Sequence, residues 1–200
     1  MTGAPLLGTL AESGIGTPID TDVPQRSVGA LRAGIPASNR HLLQSLSEDK
    51  HALQLHQLTL KDAEMGRMST PKVVEPTDSV QHLLAPRFSA EQLKEDNSLK
   101  LRPIDHFSWS AEGRFKRTMK PCSVNGHTSA REKLRHDSLD KLWHTMRLFV
   151  ELVGDAPGLF KVDVDSAFRR VPLQPDHQWA GGIAYKMDGK VAQLLARLCS

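Results

Sequence analysis

The stretch that most constrains this chain is Leu139–Val153. Leu139, Leu142, Trp143, Met146, Phe149, Val150 and Val153 recur at helical spacing on one face, and Gly154 stands where a helix can end in a left-handed residue. A stripe of that width needs another layer to cover it. The next residues supply one: the turn cluster Asp155-Ala-Pro-Gly158 leads into Leu159–Val162, a short apolar run that reads as a strand ending at Asp163. The expected class is therefore α+β, a helix laid on a small antiparallel sheet, with Trp143 and Phe149 in the core. Ser129-Ala-Arg-Glu132 has capping-box spacing and is read as the lead-in to the helix.

Upstream, residues 1–38 are rich in Gly, Pro, Thr and Ser with scattered leucines. So little apolar surface predicts a disordered leader. Ser38 or Asn39 is a candidate cap for one amphipathic helix from about Arg40 to Met65, carried by Leu43, Leu46, Leu53 and Leu60 and closed near Gly66. His41, His51 and His56 on that helix are expected to face solvent. Lys72–Pro86 reads as loop, and Ser89-Ala-Glu-Gln92 as the start of a brief helix. Residues 39–98 thus form a helical lead-in and 99–200 the principal domain.

Leu99, Leu101 and Ile104, interleaved with Lys100 and Arg102, predict a half-buried strand, and Pro103 assigns it to a sheet edge. Trp109–Lys120 is a loop in which Arg114, Lys116, Arg117 and Lys120 alternate with Trp109 and Phe115. Cations beside aromatic rings suit a nucleic-acid strand, through counterion release and base stacking. Downstream, Asp188-Gly189 between two apolar runs is a two-residue hairpin turn.

The 200 residues carry a net charge of +3, which permits nucleic acid as a partner without demanding it. Cys122 and Cys199 are far apart, with no metal-ligand spacing. No apolar run approaches the ~20 residues that span a bilayer, and no basic stretch opens a signal peptide. The expected setting is intracellular, nuclear or cytoplasmic, with no membrane partner.

A carboxylate at the end of a buried strand can hold a hard divalent cation, with the next backbone carbonyl beside it. Asp163-Val-Asp-Ser-Ala-Phe168, then Val171-Pro-Leu173, Pro175, the strand Trp179–Tyr185 and the turn Asp188-Gly189 carry a resemblance. This order resembles motif A and the following palm hairpin of reverse transcriptases from retroelements. Upstream, Ile104-Asp105 and Asn125 are similar to the fingers hairpin of the same enzymes.

The resemblance implies the partial fingers and palm of a right-hand RNA-directed DNA polymerase. Asp163 and the Val164 carbonyl would bind Mg²⁺ (or Mn²⁺), with Asp163 catalytic; Phe168 would stand as the steric gate against a ribose 2′ hydroxyl. Lys100 and Arg102 would contact the incoming dNTP. Arg114, Lys116, Arg117 and Lys120 would lie on an RNA or DNA primer-template. The family's arginine stands four residues before its aspartate, where this chain has Leu101, so Lys100 and Arg102 are equal candidates. The family's motifs B and C do not follow Asp188-Gly189; the sequence reads Ala192-Gln-Leu-Leu-Ala-Arg-Leu-Cys-Ser200 instead. The expectation is a fragment that is inactive alone, or completed by the rest of a polymerase. Two other classes remain: a nucleic-acid-binding remnant without chemistry, and a metal-dependent glycosyltransferase using Asp163-Val-Asp165, for which a Gly-rich nucleotide-binding turn is missing.

Overall fold

The computed structural model describes residues 4–19, 27–75, 78–111, 122–133, 137–159 and 173–196. The chain is α+β. Strands β1 (Gly8–Leu10) and β2 (Thr17–Pro18) precede helices α1 (Val28–Ala33), α2 (Ile35–Ser45) and α3 (Ala52–Glu64). Then come β3 (Lys72–Val74), β4 (Leu84–Leu93), β5 (Leu99–Asp105), β6 (Thr128–Ala130), β7 (Glu132–Lys133), α4 (Leu139–Val153), β8 (Gly182–Met187) and β9 (Lys190–Leu195).

The main sheet has five strands in the order β3-β9-β8-β4-β5. Its centre is β8, in which Ile183, Ala184 and Tyr185 are at most 1% exposed, as a strand covered on both faces requires. β8 and β9 form the expected hairpin, with Met187 opposite Lys190 and positive φ at Asp188 (51°) and Gly189 (74°), the backbone of a two-residue turn. β4 runs parallel to β8 over Leu84–Pro86 and Gly182–Ala184, so the sheet is mixed and not the antiparallel one expected. That approach is close enough that a Cβ on Gly182 would sit 2.6 Å from the Leu83 carbonyl. β5 is an edge strand holding Pro103, as expected.

Helices α2 and α3 lie on opposite faces of this sheet. Leu42 and Leu43 of α2 pack with Leu84, Ala184, Val191 and Val74, whereas Leu55 of α3 packs with Ile183, Tyr185, Ala192 and Leu194. Alternation along β8 sends Ile183 and Ala184 to different sides. This geometry explains why the single helix expected over 40–65 is two. The residues between them pass the end of the sheet, where the Glu48 carboxylate accepts from the turn amides of Asp188 (3.2 Å) and Gly189 (3.0 Å). Asp49 accepts from the N–H (2.8 Å) and hydroxyl (2.6 Å) of Ser89.

Other expectations are corrected, among them the loop expected over Lys72–Pro86, which holds β3 and the start of β4. The described parts of 1–38 are folded: β1 pairs with β6, β2 with β7, and Leu7, Leu31 and Ile35 are buried against Leu83, Val124, Trp179 and Ala180. Burying each such side chain contributes about 1.5–3 kcal/mol, which composition averaged over the segment conceals. The helix expected at Ser89 is strand β4, because Ser89 bonds Asp49 and pairs opposite Pro103. The boundary expected between 98 and 99 falls inside the β4–β5 hairpin, and the sheet takes strands from both sides of it.

Helix α4 has the expected span and ends at Gly154 (φ 77°), but its cap is Ser138, whose hydroxyl accepts from Lys141 N–H. Ser129 and Glu132 belong instead to β6 and β7, where the Glu132 carboxylate accepts from the N–H groups of Ser13 and Gly16. None of the α4 residues is buried, and Trp143 is 63% exposed, so the core position expected for Trp143 and Phe149 is not found.

Candidate functional site

Strand alternation along β5 sorts the residues that the fingers resemblance singles out. Lys100, Arg102 and Ile104 share the exposed face, opposite Gln92, Ala90 and Phe88 of β4; Leu101, Pro103 and Asp105 turn to the face carrying α3. Lys100 and Arg102 line a shallow cleft of about 510 Å³ with Gln92, Lys94, Glu95 and Asp96. The cations of β5 thus share the exposed face of the β4–β5 hairpin. Asp96 is partly spoken for: its carboxylate accepts from Ser98 N–H (2.9 Å), and hydrogen bonds from Ser98 hold it below the usual aspartate range. The position where the family has arginine, Leu101, is half-buried on the other face.

Asp105 points inward. Arg87 on β4, directly opposite, donates from Nε to Oδ1 (2.6 Å) and from Nη2 to Oδ2 (3.0 Å), a two-pronged pairing. The same guanidinium donates to Thr59 Oγ1 (2.8 Å) and reaches Met68 Sδ (3.0 Å), and Asp62 lies 3.8 Å away. Arg87 is 2% exposed, so this network joins β4, β5 and α3 beneath the exposed face of β5. Nothing local in the sequence marks Arg87. Only its register opposite Asp105, fixed by the 93–99 turn, brings them together.

Next to this network, His56 Nδ1 and the Tyr185 hydroxyl are 2.6 Å apart. Burial pushes the Tyr185 phenol up to about 12, against a smaller opposing effect of Arg87, so it is the neutral O–H form that occupies the core. His51 is likewise not a free surface side chain: its Nε2 is 2.6 Å from Glu91 Oε1. Asn125 ties the loop after β5 to the following segment, donating from Nδ2 to Ser108 Oγ (2.7 Å) and from its own N–H to Phe107 O (3.0 Å).

Asp163, Val164 and Phe168, and the loop cations Arg114, Lys116, Arg117 and Lys120, lie outside the described residues. Among the described residues no group of three or more His, Cys, Asp or Glu side chains is placed to hold a metal ion. None of the described helices is long and apolar enough to cross a membrane. No family model, curated protein or solved structure matches the chain.

Proposed function

We propose that this chain is the fingers and part of the palm of a protein derived from a retroelement reverse transcriptase. Its ancestral activity is template-directed addition of dNTPs to a primer. The observation that carries this reading is order: Ile104-Asp105, Asn125, Asp163, Phe168, Pro172-Leu173 and the Asp188-Gly189 hairpin succeed one another as in that family. The structure offers two features in keeping with it. Lys100 and Arg102 share one exposed face, where a triphosphate or a nucleic-acid backbone could meet them, and the hairpin after the motif is the centre of the sheet.

In this reading Asp163 and the Val164 carbonyl are the residues that would hold Mg²⁺, which supplies charge stabilisation for phosphoryl transfer when bound. The chain's own contribution is positioning. Phe168 stands against the sugar, Lys100 and Arg102 neutralise phosphate, and Arg114, Lys116, Arg117 and Lys120 hold the primer-template. In polymerases of this kind the remaining metal-binding carboxylates come from motif C. The 200 residues hold none of motif C, so this stretch by itself binds primer-template without extending it.

A second reading, a nucleic-acid-binding remnant with no chemistry, is favoured by the same basic, aromatic-interleaved Trp109–Lys120 segment. One experiment separates them. Binding to a recessed RNA–DNA primer-template is measured across a salt series, and incorporation of labelled dNTP is followed with Mg²⁺ and Mn²⁺. Binding that weakens with salt, with no incorporation and no response to Mg²⁺ and the templated dNTP in either the parent or Asp163→Asn, favours the remnant. Binding that Mg²⁺ with the templated dNTP tightens in the parent and not in Asp163→Asn favours the polymerase-derived reading, and incorporation that Asp163→Asn removes would establish a working polymerase. Absence of binding at low salt overturns both.

A further inference from the structure

At the opposite edge of the sheet from β5, the segment Ser69–Thr70 and the facing end of β9 border a second cleft of about 550 Å³. Its polar lining comes from Ser69, Thr70, Lys72, His82, Gln178 and Gln193. That volume falls in the ~300–1,000 Å³ range of small-molecule sites.

The walls are held from behind. Ser69 N–H donates to Leu195 O and Leu195 N–H to Ser69 Oγ, both at 2.8 Å, which leaves the Ser69 hydroxyl proton free to point into the cleft. Leu83 N–H donates to Trp179 O (2.7 Å), fixing the His82 segment to the 3-10 helix Pro175–Ala180 that carries Gln178. Buried Asn39 donates to the His82 carbonyl (2.7 Å) from the other side. Lys72 and Gln193 are directly opposite on β3 and β9 and so share a face.

The front of the cleft is chemically one-sided. No Asp or Glu is among its lining residues, and the Lys72 ammonium, the His82 ring and the side-chain amides of Gln178 and Gln193 make no hydrogen bond or ion pair within the described protein. Burial depresses the His82 pKa, so its ring is neutral and Lys72 is the one charge among the described lining residues. An unpaired cation beside hydroxyl and amide donors, with no carboxylate among the described lining residues, suits an oxyanion and leaves further groups for a polar body.

We propose that this cleft binds a small oxyanionic molecule, a phosphate ester or a carboxylate bearing hydroxyl groups, with the oxyanion on Lys72 and the hydroxyls on Gln178 and Gln193. The site is independent of the polymerase reading, because every group in it lies outside the residues that reading uses.

The test titrates the full chain with ribose 5-phosphate, ribose and gluconate, following the side-chain amide resonances of Gln178 and Gln193 by NMR. Saturable shifts in the millimolar range or below are expected with ribose 5-phosphate or gluconate, whichever is tighter naming the oxyanion, and little response to ribose. Lys72→Gln, an exposed substitution, weakens binding about tenfold or more, as loss of a charge-assisted contact should. Gln193→Ala weakens it less. Thermal unfolding of both variants checks that the fold is kept. Shifts that never saturate, shifts equal for ribose and ribose 5-phosphate, or an affinity unchanged in Lys72→Gln would overturn the proposal.

Discussion

Arg87 and Asp105 face each other across β4 and β5, bridged by two hydrogen bonds of 2.6 and 3.0 Å, with the Arg87 side chain wholly buried. Such a pair stabilises little compared with apolar residues of the same volume, but removing one partner strands a buried charge. Asp105→Ala is expected to cost about 3 kcal/mol, near the low end of the ~3–5 kcal/mol range for broken buried pairs, because Asp62 stays 3.8 Å from the guanidinium. The double variant Arg87→Met with Asp105→Leu should recover most of that. Urea unfolding at neutral pH measures both; a single variant as stable as the parent would mean the pair is not buried as described.

Asn39 is the other buried polar side chain on which the sheet depends. Its amide donates to the Val80 (3.3 Å) and His82 (2.7 Å) carbonyls, while its Oδ1 accepts from Leu84 N–H (3.0 Å) at the start of β4. Asn39→Ala strands the buried Leu84 amide and loosens two part-buried carbonyls, at about 1–3 kcal/mol, the cost of one unsatisfied buried group. The loss reads out as a lower unfolding midpoint, with faster amide exchange concentrated at Leu84. Exchange unchanged at Leu84 would contradict the contact.

Asp49 gives the fold an acid-sensitive joint. Burial pushes its pKa up, but hydrogen bonds from the hydroxyl and N–H of Ser89 and from the N–H of His51 outweigh burial, and the net displacement is downward. A carboxyl held lower in the folded chain than its unfolded value of about 3.9 adds stability that is fully present above that value. The contribution is lost as pH falls through the folded value. Stability followed from pH 7 downward should therefore drop more steeply below about pH 4 in the parent than in Asp49→Asn, whose curve starts lower and is flatter. Parallel curves would show that Asp49 makes no such contribution.

How much of this was legible in the sequence follows from how local each signal is. The β8–β9 hairpin announced itself because Asp188-Gly189 supplies both positive-φ residues at the turn. Pro103 placed β5 at an edge for the same kind of reason, a missing N–H that no inner strand tolerates. The break between α2 and α3 was hidden, since the leucines of 43–60 keep helical spacing through a segment that must cross from one face of the sheet to the other. Ser89 looked like a cap, and its spacing to Gln92 was right; Asp49, forty residues away, claims it instead. Leu7 and β1 could not be foreseen either, because their partners near Val124 and Thr128 lie more than a hundred residues downstream. Near the candidate site, Lys100 and Arg102 share a strand face as their spacing implies, whereas Arg87, which organises the sheet beneath them, carried no motif at all.

The proposal that Asp163 holds a divalent cation beside a nucleotide is tested most directly by electron paramagnetic resonance of Mn²⁺ titrated into the chain with dTTP. The account predicts a bound Mn²⁺ population beyond that of Mn²⁺ with dTTP alone, weakened about tenfold or more in Asp163→Asn, as loss of a charged metal ligand should do. An Asp163→Asn chain that binds the Mn²⁺–nucleotide pair as well as the parent, or a parent that binds none of it, would contradict the polymerase ancestry proposed here.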